Sequence, residues 1–162
     1  MKYLVPFVAA ALVMFAFAQS TSIDLLGWAW SPNIGWIQMR DTGSPAYGVK
    51  IDSSNKQLEG YAWTNNIGWI RFDPPRPDDD SNGTLEDYPS ISGTVASVAK
   101  LDLVSGSSYK LVGWARVCSV FESGCAGKLK PISERGSWDG WISFGGSGYG
   151  VTYDDSNQKS KK

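Results

Sequence analysis

The sequence predicts an all-β protein, an antiparallel β-sandwich or barrel-like domain built from repeated tryptophan-rich hairpins. Three observations carry that expectation. Gly27-Trp-Ala-Trp-Ser-Pro-Asn-Ile-Gly-Trp-Ile-Gln-Met39 recurs 33 residues later as Gly60-Tyr-Ala-Trp-Thr-Asn-Asn-Ile-Gly-Trp-Ile-Arg-Phe72, and self-similarity at a fixed spacing marks a repeated supersecondary unit. The intervening segments are rich in aromatic and β-branched residues and bounded by Gly, Pro, Asn and Ser, the composition of short strands joined by tight turns. Beyond the N-terminal apolar run, no stretch keeps a helical period.

From the N-terminus, Lys2 is followed by an apolar run from Tyr3 to Phe17 and by the small-x-small sequence Ala16-Phe17-Ala18. This is the pattern of a signal peptide over 1–18, with a mature chain starting at Gln19. The run falls short of the roughly 20 residues that span a bilayer as a helix, and no second apolar segment follows it. The expected product is secreted, extracellular or at the cell surface of a bacterium, with no membrane span in the mature chain. Residues 19–154 are expected to form a single domain, and 155–162, with Lys159, Lys161 and Lys162, a flexible tail. A net charge of -1 without a basic stripe excludes a nucleic-acid partner, because nothing is placed to neutralise phosphates.

Within the domain, Ile23 to Leu26 is the first candidate strand. Copy one covers 27–52 and consists of a hairpin followed by the strand Tyr47-Gly-Val-Lys-Ile-Asp52. Its turn, Ser31-Pro32-Asn33, puts Pro where φ is restricted and Asn where a left-handed residue is tolerated. Thr64-Asn65-Asn66 is the corresponding turn of copy two, 60–72, which Gln57 to Glu59 leads into. Further strands are expected over Ile91 to Ala99, Leu101 to Val104 and Tyr109 to Val112. Copy three, 113–154, is split: Gly113-Trp-Ala-Arg116 opens it, a cysteine loop interrupts it, Trp138-Asp-Gly-Trp-Ile-Ser-Phe144 closes it, and Tyr149-Gly-Val-Thr-Tyr-Asp154 follows. Roughly nine to eleven strands result.

Strand alternation sorts these side chains between two faces. Ala29, Ile37, Met39, Ala62, Ile70, Phe72, Ala115, Val117, Ile142 and Phe144 share one face, as small, aliphatic or core-sized residues suited to an interior. Gly35, Gly68 and Gly140 fall on that face, where a missing side chain lets a neighbouring backbone approach or forms a bulge. The other face receives Trp28, Trp30, Trp36, Tyr61, Trp63, Trp69, Trp114 and Trp141, joined by Gln38, Arg71 and Arg116. Such rings either pack across strands and between sheets or stack on the apolar C–H faces of sugars. The arginines are placed to stack on rings or to hydrogen-bond a glycan.

Cys118 and Cys125 are the only cysteines, and in an exported chain they are expected to form a local disulfide. Zinc is excluded, since two thiolates without any histidine do not complete a site. Between copies two and three, Asp78, Asp80, Asn82 and Gly83 reproduce the start of an extracellular calcium loop, which Glu86 or Asp87 is placed to complete. The position where such a loop usually ends in glutamate is Pro89, and an acidic solvated loop is the competing reading. Calcium is therefore a candidate cofactor, and no other is expected. Catalysis is not expected: there is no histidine for a triad, and the carboxylates Asp73, Glu59, Glu122 and Asp139, which a glycosidase would need, sit in no recognisable motif. Ser22, Ile23, Asp24 and Leu25 alternate in a way that suits a strand donated to a neighbouring subunit.

The residues Gly60 to Phe72 and Tyr47 to Asp52 resemble the Gly-Tyr-Ala-Trp-Ser-x-Asn-Ile-Gly-Trp-Ile-x-Phe tandem repeats of exported bacterial surface proteins. The resemblance implies an extracellular, repetitive β architecture and carries no defined activity. Copy three departs from it through Arg116 and the inserted cysteine loop. The expectation is a secreted structural or adhesive β-protein, a subunit of an extracellular filament or surface layer that associates with itself or with other surface proteins. The alternative is a glycan-binding module that takes a polysaccharide on exposed tryptophans.

Overall fold

The computed structural model describes residues 21–74 and 88–154, the side chains of Tyr153 and Asp154 excepted. The signal-peptide, calcium-loop and tail expectations over 1–18, 75–87 and 155–162 lie outside these residues. The protein is all-β. In chain order the strands are β1 (Ser22–Leu25), β2 (Trp28–Ser31), β3 (Gly35–Gln38), β4 (Arg40–Asp41), β5 (Tyr47–Asp52), β6 (Leu58–Thr64), β7 (Gly68–Arg71), β8 (Lys100–Ser105), β9 (Ser108–Val112), β10 (Trp114–Val117), β11 (Trp141–Ser143), β12 (Gly145–Gly146) and β13 (Tyr149–Asp154). A 3-10 turn at Cys118–Val120 and a one-turn helix α1 (Ile132–Arg135) lie between β10 and β11.

The β2–β3 and β6–β7 hairpins have the same register, with Ala29 opposite Ile37 and Ala62 opposite Ile70. In β10–β11 the matching pair is Ala115 and Ile142. One further bond is shared by all three: the amides of Met39, Phe72 and Phe144 donate to the carbonyls of Gly27, Gly60 and Gly113 at 3.0, 2.9 and 3.1 Å. The turns depart from the sequence expectation. Asn33 does not take the left-handed conformation. That role falls to Gly35 and Gly68, at φ +85° and +80°, as in hairpin loops that end in a glycine bulge. A Cβ on Gly35 or Gly140 would first meet a side chain, Asn66 or Val120, so of the two roles expected of these glycines, close backbone approach or a bulge, Gly35 takes the bulge.

Strands β2, β3, β6, β7, β10 and β11 follow one another through the larger antiparallel sheet. β6 also pairs through Leu58–Gly60 with β5, which carries β1 on its far edge. The smaller sheet has the order β12-β13-β9-β8. The two are joined at a corner, where the Leu58 amide donates to the Ala99 carbonyl and the Leu101 amide to the Lys56 carbonyl. Between them lies one core that includes Ile37, Met39, Val49, Ala62, Ile70, Phe72, Ala115 and Val117 from the large sheet and Leu101 and Leu111 from the small one. Phe72 stacks on Phe144 at 5.2 Å within it. The face assigned to the interior by alternation is the face that packs there, with Ala29 and Ile142 at its margin.

Ile91 to Ala99 is not a strand. The Thr94 hydroxyl accepts from the Ile91 amide and donates to the Ile91 carbonyl, and Thr94 also donates its own amide to that carbonyl. The backbone is thereby closed into a local turn that competes with a sheet ladder. Only Val98 forms an isolated bridge, to Trp114.

Candidate functional site

Strand pairing assembles the aromatic face into two rows. Trp28 lies opposite Gln38, Gln38 opposite Trp63, and Trp63 opposite Trp69, so the first row crosses four strands. The second row runs from Tyr61 to Arg71, Arg116 and Trp141. Directly opposed residues of neighbouring strands point to the same side and touch. The eight aromatic residues singled out in the sequence therefore belong to one surface.

Their exposure is graded along it. Trp28, Trp30 and Trp36 are each 61% exposed, whereas Trp114 and Trp141 are only 4% and 9% exposed. Tyr61 is exposed, and Trp63 and Trp69 are half-buried. Of the two alternatives, packing or contact with a ligand or partner, packing describes Trp114 and Trp141: their rings meet each other, Tyr88 meets Trp141, Val98 bridges to Trp114, and the cysteine loop lies over Arg116 beside Trp141. The loop leaves β10 at Cys118, is closed by the Cys118–Cys125 disulfide, and turns back through a bridge between Phe121 and Leu129. Val120, Phe121 and Leu129 form a small core of their own. Arg116 is fully buried beneath it, with its guanidinium carbon 4.3 Å from the Trp141 centroid and 5.1 Å from that of Phe121. Its Nε donates to the Asp139 carbonyl at 2.8 Å, and the Tyr88 ring meets Trp141 at 5.6 Å.

Where the loop stops, the face is open. Trp28, Trp36, Trp63, Trp69 and Tyr47 line a groove of about 520 Å3, whose polar walls come from Gln38, Asp41, Ser44, Thr64 and Asn65. Tyr47 meets Trp69 edge-on at 4.8 Å, and Trp63 meets Trp69 at 4.9 Å. The indole N–H of Trp63 donates to Asn65 Oδ1 at 3.1 Å, which fixes the plane of that ring. Gln38 Nε2 donates to the Arg40 carbonyl at 3.2 Å. Burial, and after it the Asp41 charge, push the Tyr47 phenol above its ordinary pKa. Gly124 and Cys125 at the tip of the cysteine loop share a recess of about 370 Å3 with Tyr47, Tyr61 and Trp69, so the loop borders the groove without filling it.

Neither Tyr47 nor Asp41 was visible as a site residue in the sequence. Both belong to the connection after copy one, and the β4–β5 pairing of Asp41 with Tyr47 brings them to the groove. The stretch Ser22, Ile23, Asp24 and Leu25 pairs as β1 with β5 of its own chain, so donation to a neighbour would first require it to leave that edge. Asp24 pairs there with Arg40. Asp78, Asp80, Asn82, Glu86 and Asp87 lie outside the described residues. Among the described residues no group of three or more His, Cys, Asp or Glu is placed to hold a metal ion, and no helix is long and apolar enough to cross a membrane. Comparison with protein-family models, with curated proteins and with solved structures gives no match for the chain.

Proposed function

We propose that the chain is an exported β-protein without catalytic activity that binds a polysaccharide in the groove between its first two hairpins. One observation carries this reading: five aromatic rings converge on an open groove, while Trp114 and Trp141, which stand in the third copy where Trp28 and Trp36 stand in the first, are buried. Large apolar rings left in water cost free energy, and such rings bordered by amide and hydroxyl groups suit a pyranose, whose faces are apolar and whose edges carry hydroxyls. The disulfide supports export, since such bonds persist in oxidising compartments. Pull-down on insoluble polysaccharides, followed by titration of intrinsic tryptophan fluorescence with the matching oligosaccharides, tests it. A Trp28→Ala, Trp36→Ala double variant should lose binding at unchanged melting temperature; full binding by that variant would defeat the reading.

A second reading, assembly into a filament or surface layer, is favoured by a different observation. β8 is the edge of the small sheet, and Leu103 and Val104 on it are 62% and 63% exposed. Exposed apolar edges template pairing with another chain. Light scattering that shows concentration-dependent growth, abolished by Val104→Lys, would support assembly, and a monomer at all concentrations would remove it.

A further inference from the structure

We infer that the polysaccharide held in this groove carries free, protonated amino groups on its sugars. The inference rests on the glycan reading above and adds the charge of the ligand to it. Among the residues that line the groove, Asp41 is the only one with a formal charge. Neighbouring acids are already satisfied by cations: Asp24 pairs with Arg40, and Asp73 with Arg71 at 3.3 Å. Asp41 instead accepts a single backbone bond, from the Gly43 amide at 2.8 Å, and no described cation lies within ion-pair distance of it. Asp41 also borders the recess on the other side of Tyr47, together with Arg40, which Asp24 holds, and Lys50; neither cation lines the groove.

The rings supply the second part of the argument. The face of an indole or phenol is negative, so ammonium groups are drawn to it, most strongly to tryptophan. Four tryptophans, a tyrosine and an uncompensated carboxylate together make an electronegative, partly desolvated groove, in which the attraction exceeds that at an open surface. An amino sugar stacks its apolar face on a ring and places its ammonium towards Asp41, where it donates a charge-assisted hydrogen bond. An N-acetylated or unsubstituted sugar keeps the stacking and forfeits the ion pair. A uronic acid is repelled by Asp41.

The test compares four oligosaccharides of equal length by titration calorimetry at slightly acidic pH: glucosamine, N-acetylglucosamine, glucose and galacturonate oligomers. The glucosamine oligomer is expected to bind about tenfold more tightly than its N-acetylated counterpart. Added salt should shrink that preference, and Asp41→Asn, which keeps an oxygen for the Gly43 amide, should abolish it. Equal affinity for the amino and neutral oligomers would overturn the charge inference while leaving the polysaccharide reading in place. A preference that survives in Asp41→Asn would overturn the role of the carboxylate. Binding of none of the four would remove both readings.

Discussion

The guanidinium of Arg116 faces the ring of Trp141 across β10–β11, at the register position where Trp63 faces Trp69 across β6–β7 and Trp30 faces Trp36 across β2–β3. A cation thus occupies in the third hairpin the place an indole holds in the first two. The substitution follows from the cover. At the open hairpins the rings meet solvent, whereas here Phe121 closes over the guanidinium, and its Nε reaches the Asp139 carbonyl. Arg116→Ala should therefore lower stability by about 3 kcal/mol, because it removes a fully buried side chain and leaves a cavity between two rings. Arg116→Lys keeps the charge and loses the planar stacking, and should recover only part of that stability. Urea denaturation followed by far-UV circular dichroism measures both.

Trp36 and Trp141 occupy corresponding positions in the first and third hairpins, yet their replacements should behave oppositely. Trp141→Ala is expected to cost about 3–5 kcal/mol, the range for deletion of a buried aromatic ring. Trp36→Ala should stay within about 0.5 kcal/mol of the parent, as exposed positions do, and should instead weaken ligand binding. Parallel melts and fluorescence titrations of the two variants test this contrast.

Gly60 stands at φ +94°, and a Cβ there would collide with the Gly48 carbonyl oxygen. Gly27, its counterpart in the first hairpin, has φ +93° and nothing within 4 Å of the same position. Gly27→Ala should cost about 1 kcal/mol, from the unfavourable backbone conformation alone. Gly60→Ala adds a backbone clash and should cost clearly more, with loss of the β5–β6 pairing visible as faster amide exchange at Lys50 and Glu59, which face each other in that pair.

Opening the Cys118–Cys125 disulfide should release the cover over the third hairpin. For a loop this short the chain-entropy contribution is about 2 kcal/mol. A Cys118→Ser, Cys125→Ser variant is expected to lose that much stability and to show red-shifted tryptophan emission as Trp141 becomes hydrated. Unchanged emission would mean that Val120, Phe121 and Leu129 hold the loop in place without the bond.

Tyr47 predicts an alkaline effect. Burial, and after it the Asp41 charge, hold its phenol above the ordinary tyrosine range in the folded protein. The folded state therefore retains the proton more strongly than the unfolded one, and the associated stability is present below pH 10 and lost as pH rises through the folded pKa. Tyr47→Phe should flatten the decline of stability above about pH 10, measured by urea denaturation across the alkaline range. An identical slope in the two proteins would exclude this contribution.

Much of this architecture was legible before the fold was known. Alternation with period two placed Ile37, Met39, Ile70 and Phe72 inside and the tryptophans together on the opposite face, because a strand leaves each side chain only two directions. The left-handed turn residue was misassigned to Asn33, since the composition of a turn does not reveal which of its positions closes the bulge; the backbone assigns that role to Gly35. Ile91 to Ala99 read as a strand on apolar content, but side-chain bonds from Thr94 commit its backbone locally.

What the sequence by itself determined is local: the strand content and the two-faced distribution of side chains, which depend on neighbours a few residues apart. Tertiary structure decided which aromatic residues meet solvent. That outcome depends on where the insertion after Val117 folds back, and on the pairing of Asp41 with Tyr47 that brings both to the groove. Burial is a property of what lies across a face, and the residues that cover or border this one come from distant parts of the chain.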